Sequence, residues 1–464
     1  MQDQPGPSTR VLGVFRLATL TMAAVIGIRN LPQMAEYGWA SIFFYVAAML
    51  FFFIPISLVS AELATGWPKR GGIYIWVREA FGPRVGFFAI WTQWIACIPW
   101  YPAVLSFLAA TIAYSFNPSL ADSKIYMLIT TLILVWAATI ANFFEIKVSS
   151  WISSGGMLIG SLIPAALIVG LGLYWSLAGY PTEIAFSVAS LIPDFGMENV
   201  VFFAGVVLAL SGMELSASSA SEVIDPQRNF PRAILMAAVV ILAVSILGSL
   251  AIAFVIPKEE LSLVAGIMPA VEVFFAEFGL TWAVPWVALL IVLGTVALVN
   301  TWFLAPAKGM LVTARYGDLP AFFKGSNRHG APVRLLIIQG AITSLFCVVF
   351  VFVPDVNTAF WILSILAIQL YIIMYVLVFL SVIRLRYTQP EVPRTYKIPG
   401  GKGGVILVAI LGLIGCLYAF VVGFFPPAEL NVENVAGYVS FLVVGMIVLG
   451  VPPLIIYQVR RKNL

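Results

Sequence analysis

Little in this sequence can do acid–base or metal chemistry. It holds a single histidine, His329, and three cysteines, Cys97, Cys347 and Cys416, far apart in the chain. All three cysteines fall in apolar segments, with neither metal-ligand spacing nor a disulfide framework, so they read as small buried hydrophobes. There is no Gly-x-Ser-x-Gly elbow, and His329 has no evident catalytic company. These absences argue against an enzyme and give no reason to expect a metal or cofactor. Charge is scarce as well: 10% of residues are Asp, Glu, Lys or Arg, whereas soluble domains carry about 25%. No polar stretch is long enough to make a separate soluble domain.

What is present is apolar. The chain is 61% hydrophobic over 464 residues, more than one water-soluble core can hide, so it reads as an all-α integral membrane protein. Apolar runs of about 20 residues recur, each sufficient to cross a bilayer. The alternating pattern of a membrane barrel is absent. The periodicity predicts about twelve spans, near 12–35, 40–65, 84–115, 124–143, 152–176, 199–221, 231–256, 281–308, 333–353, 357–384, 404–425 and 434–459. The N-terminal residues 1–10 are polar. The first run lacks a small-residue cleavage site and is expected to be retained as a helix.

Lys and Arg gather on alternate connections. Arg10 and Arg16 precede or open the first span, and Lys69, Arg70, Arg78 and Arg84 follow the second. Lys147, then Arg228 and Arg232, then Arg315, Lys324, Arg328 and Arg334, continue the series up to Arg460 and Arg461. The opposite loops hold only Lys124 and Lys258 among several acids. By the positive-inside rule both termini are expected in the cytoplasm. The net charge of +4 is then a topology signal, with no nucleic-acid partner implied.

Two spans look interrupted, five apart in order. The first contains Gly27, Arg29, Asn30 and Pro32; the sixth reads LALSGMELSASSASEVIDP, with Ser211, Gly212 and Glu214 in mid-span. Paired broken helices point to a transporter binding site, because unwinding frees backbone groups near the midplane. Small-residue packing kinks are the plainer explanation, but two breaks that each carry an ionisable residue favour the site.

The segments GWPKRGGIYIWVREAFGPRVGF and GMLVTARYGDLPAFFKGSNRHGAPV resemble the two intracellular motifs of amino acid–polyamine–organocation transporters. RTYKIPGGKGG, FFPP and PPLIIYQV are similar to the bacterial glutamate:γ-aminobutyrate antiporter family. The resemblance covers nearly the whole chain. It implies a LeuT-like five-plus-five inverted repeat, with repeats at 11–180 and 181–386, two added helices at 387–459 and a short tail at 460–464. It also implies a location in the bacterial inner membrane. Carried over by position, Val25, Ile26 and Gly27 would hold a substrate carboxylate. Ser211 to Glu214 would receive its amino group. Tyr371 and Tyr375 would line the path; their spacing of four also puts them on one helix face.

Three departures stand out from the pattern that the resemblance sets. No long C-terminal plug is expected after the last span, Ser154 stands where proton-coupled relatives often carry a lysine, and Leu298 replaces an acid, close to Asn300 and Thr301. Trp94 and Cys97 are expected either to line the pocket or simply to pack. Glu62 reads as a structural hydrogen-bonding group. Glu214 is either a proton-exchanging carboxylate or a structural acceptor. Arg29 either snorkels or serves recognition, gating or an ion pair, with a substrate carboxylate or Glu36 as partner. The function expected is exchange of glutamate or a related amino acid such as γ-aminobutyrate or glutamine. Proton-coupled uptake of neutral amino acids and ligand sensing without flux are the alternatives.

Overall fold

The computed structural model describes residues 12–69, 71–144, 158–193, 196, 201–214, 223–353, 355–427, 432 and 434–462. Among these the fold is helical, with one isolated bridge, Leu12 to Val223, as the sole extended pairing. Ten helices among the described residues are long and apolar enough to cross a membrane. Each corresponds in order to one of the predicted spans.

The chain begins with α1 (Val14–Val25), a 3-10 turn (Ile28–Asn30) and α2 (Leu31–Ala35). Next come α3 (Gly38–Gly66), the short α4 (Ile73–Phe81), α5 (Pro83–Ala113), α6 (Lys124–Phe144) and α7 (Ile159–Leu177). The short α8 (Phe202–Ala209) precedes α9 (Pro226–Val255), α10 (Met268–Glu277), α11 (Thr281–Tyr316), α12 (Val333–Phe352), α13 (Val356–Thr388), α14 (Gly401–Val422) and α15 (Val435–Val459). The first predicted span is therefore split between α1 and α2. The sixth ends its first helix at Ala209, and part of its second half, like Ser154 in the fifth, lies outside the described residues.

Burial sorts the helices into a centre and a shell. In their most apolar stretches α5 is 94% buried and α13 is 83% buried, against 22% for α15 and 28% for α6. The outer helices expose stripes at helical spacing: Trp282, Trp286, Leu289, Leu293 and Val296 on α11, and Ile125, Ile129, Ile133 and Ile140 on α6. Apolar faces of this size meet lipid tails rather than water. α5 and α13 pack along one another, and both α1 and α2 lean on α9. A bilayer supplies no hydrophobic drive between helices, so close packing holds them together. At Gly160 and Gly294, for example, the backbones of α7 and α11 touch with no room for a side chain.

Candidate functional site

The break in the first span is built from local chemistry. After Val25 the backbone runs extended through Ile26 and Gly27 before the 3-10 turn begins. Pro32 lies in the first turn of α2, where its missing N–H removes no helical bond. The amides of Gly27, Ile28 and Arg29 find no acceptor among the described residues. At the other break, α8 ends at Ala209 and the chain turns at Gly212 with φ 109°, a conformation that side chains resist.

Both breaks open onto one cavity inside the bundle. Val25, Ile26, Gly27, Arg29 and Asn30 line it from the first, and Leu208, Ala209 and Ser211 from the sixth. α5 contributes Ala96, Cys97 and Trp100, α11 contributes Leu298 and Trp302, and α13 contributes Ala367 and Tyr371. The wall is apolar except at a few points, as ligand pockets commonly are. Arg29 is the one charged residue among these lining groups.

Arg29 is 6% exposed, and its guanidinium lies 5.1 Å from the centroid of the Trp100 ring. Trp100 is in turn tilted against Trp302 at 5.5 Å. The Nη1 of Arg29 has no hydrogen-bond partner among the described residues. Glu36, the protein acid that its position in sequence suggests, instead pairs with Lys258 at 3.4 Å.

Behind the wall lies a closed polar cluster. Tyr371 donates its hydroxyl hydrogen to Glu214 Oε1 at 2.6 Å, and Tyr375 donates to Oε2 at 2.9 Å. Gln93 donates to the Tyr371 oxygen and the Gly212 amide donates to the Tyr375 oxygen. All of these bonds are buried. The one-turn spacing of the tyrosines on α13 lets both reach the same carboxylate, and edge contact with Phe52 fixes the Tyr375 ring. Both oxygens of Glu214 are thereby occupied, and the break in the sixth span is held to α13.

Of the residues singled out in the sequence, Val25, Ile26, Gly27, Arg29, Cys97, Ser211 and Tyr371 line the cavity. Glu214 stands one hydrogen bond behind it, through Tyr371, and Tyr375 and then Gly212 follow along the same chain of bonds. The geometry does not bring Trp94 or Asn300 to it. Trp94 Nε1 donates to Gln339 Oε1 at 2.8 Å, and Asn300 Oδ1 accepts from Asn142 at 2.8 Å. Ser154 lies outside the described residues. Trp100, Trp302 and Ala367 went unread in the sequence, although Trp100 follows Cys97 by three positions and Trp302 follows Leu298 by four, same-face spacings on a helix. No group of metal-ligating side chains occurs among the described residues.

The sequence matches the amino acid permease family over residues 12–449. An uncharacterized transporter of Legionella pneumophila is 43% identical over 441 residues, covering 95% of each chain. A glutamate/gamma-aminobutyrate antiporter of Lactococcus lactis is 30% identical over 459 residues, covering 97% of this chain and 91% of its own. A protein named "Probable agmatine/putrescine antiporter" from the same species is 26% identical over 441 residues, covering 93% of both.

Proposed function

This chain belongs to the amino acid permease family, and from that premise we propose that it exchanges amino acids across a membrane by alternating access, with glutamate or a related amino acid such as γ-aminobutyrate or glutamine as substrate. The fold on this reading is a twelve-span, five-plus-five inverted repeat with two added helices, set in a bacterial inner membrane with both termini in the cytoplasm. The glutamate/gamma-aminobutyrate antiporter, matched along nearly its whole length, supports the substrate class.

The observation that carries the proposal is the meeting of two interrupted helices at one buried cavity. The free amides of Gly27 and Ile28 suit a carboxylate, because backbone N–H groups in a dry site bind oxygen anions at little reorganisation cost. The 210–212 bend offers carbonyls to an ammonium group. Both polar ends of an amino acid would then bind backbone, which side-chain variation leaves intact. Alternating access requires only that packed helices tilt around this fixed point.

The test is exchange. Purified protein is placed in liposomes loaded in turn with a panel of amino acids, and uptake of labelled glutamate is followed. Uptake that depends on an amino acid inside is the expected result. Equal uptake into empty liposomes driven by a proton gradient would favour symport. Saturable binding without any flux would make the protein a sensor.

A further inference from the structure

We propose that Arg29 sets the charge of the ligand: its guanidinium takes a second carboxylate, so the cavity selects amino acids with an acidic side chain and rejects amines of positive charge. This rests on the reading of the cavity as the substrate site.

A guanidinium buried in an apolar wall is costly unless an anion and hydrogen bonds compensate it. Arg29 is 6% exposed, has a nitrogen with no hydrogen-bond partner among the described residues, and lines the cavity. Snorkelling does not describe a head group stacked on Trp100 inside the bundle. Among the described residues, Glu36, close to Arg29 in sequence, pairs with Lys258, and Glu214, in the facing break, accepts from Tyr371 and Tyr375. No carboxylate lines the cavity among the described residues, which leaves the ligand to bring the anion.

The geometry also separates two carboxylate positions. The free amides at Gly27 and Ile28 suit one. Arg29, next in the same turn, offers its fork to another. The guanidinium lies over the Trp100 ring and its Nη1 has no hydrogen-bond partner among the described residues; an arginine fork with free N–H groups suits a carboxylate in two-point fashion. A zwitterion satisfies the backbone alone. An acidic amino acid satisfies both and enters with the net negative charge that the lone lining cation requires. A diamine would bring positive charge against Arg29 with no carboxylate among the described lining residues, so the name of the agmatine/putrescine relative does not carry over to this cavity.

The experiment measures equilibrium binding of glutamate, glutamine and agmatine to the detergent-purified protein and to Arg29→Gln and Arg29→Lys, with monodispersity and melting temperature recorded for each. The unaltered protein is expected to prefer glutamate over glutamine and to ignore agmatine. Arg29→Gln should weaken glutamate roughly ten- to hundred-fold, the range for a charge-assisted bond, while glutamine changes by about twofold or less. Arg29→Lys should recover only part of the loss, because a point charge does not reproduce the fork. Equal losses for glutamate and glutamine, no change for either, or agmatine binding to the unaltered protein would overturn the assignment of Arg29 alone. Failure of every amino acid to bind the unaltered protein would overturn the transport proposal and this inference with it.

Discussion

Glu214 is a buried carboxylate whose two oxygens are each met by a tyrosine hydroxyl. Tyr371→Phe would strip Oε1 of its donor and leave Gln93 without the phenol oxygen it bonds. Tyr375→Phe would strip Oε2 and free the Gly212 amide. Each is expected to lower stability by about 1.5–3 kcal/mol, as for hydrogen bonds to a charged group. Glu214→Gln keeps one acceptor and should cost less than Glu214→Ala. Melting temperatures of the four variants in detergent check the order; four melts equal to that of the unaltered protein would remove the cluster from any role in stability. Glu214 was legible in the sequence as a carboxylate in a break, whereas Tyr371 and Tyr375 were pointed to by the family resemblance as path-lining residues on one helix face, and their bonds to Glu214 were not legible there. Trp94, Trp100 and Asn300 were less so. α5 is buried on nearly all sides, so no polar face marks which of its aromatics turns to the cavity and which turns to α12. Only the rotation of the packed helix decides that Trp100 faces Arg29 while Trp94 reaches Gln339.

The helical elements show why two glycines in matched breaks are not equivalent. A Cβ on Gly27 would meet nothing closer than Asn30 Nδ2 at 3.6 Å, and the backbone there is ordinary extended chain. Gly27→Ala is therefore expected to fold with unchanged stability. Gly27→Leu is expected to fold as well, and to lose ligand by filling the space beside the free amides. Gly212, at φ 109°, is different: Gly212→Ala should cost about 1–2 kcal/mol through backbone strain alone. Comparing melting temperature with ligand affinity for these variants separates strain from occlusion, and normal affinity in Gly27→Leu would contradict the backbone site. The first break was legible as a cluster of Gly27, Arg29, Asn30 and Pro32. The contact between α7 and α11 was not, because Gly160 and Gly294 sit in runs that look like any other apolar helix. There a Cβ on Gly294 would fall 2.5 Å from the Cα of Gly160. Gly294→Ala should force the helices apart at a cost of about 1–3 kcal/mol, typical of overpacking, visible as a lower melting temperature.

Across the whole molecule, hydropathy located the helices, but it could not say which of them are tied together at their ends. The apolar runs and the breaks follow from composition within a window of residues; contacts between segments hundreds of positions apart do not. The clearest such tie joins α3, α9 and the end of α13. Glu62, buried near the end of α3, accepts from both Nε and Nη2 of Arg386, the latter at 2.7 Å, and from the Ile398 amide at 2.8 Å. Arg394 lies 3.6 Å from the same carboxylate, stacks on Trp67, and spends its terminal nitrogens on the carbonyls of Leu385, Gln389 and Val392. Gln227, at the start of α9, bonds both backbone groups of Lys397. The expectation of a structural hydrogen-bonding role for Glu62 matches this geometry, though nothing local in the sequence named its partners. One carboxylate compensates two largely buried guanidinium groups, so its removal should hurt far more than the loss of one bond. Glu62→Ala is expected to destabilise by about 3–5 kcal/mol, the range for stranding a buried charge. Removing a cation as well should relieve part of that. The double variant Glu62→Ala/Arg386→Met is therefore expected to melt above Glu62→Ala, a non-additivity that marks direct coupling. Melting temperatures of the two single variants and the double variant measure it, and a double variant that melts at the sum of the two single losses would place Arg386 outside the clamp.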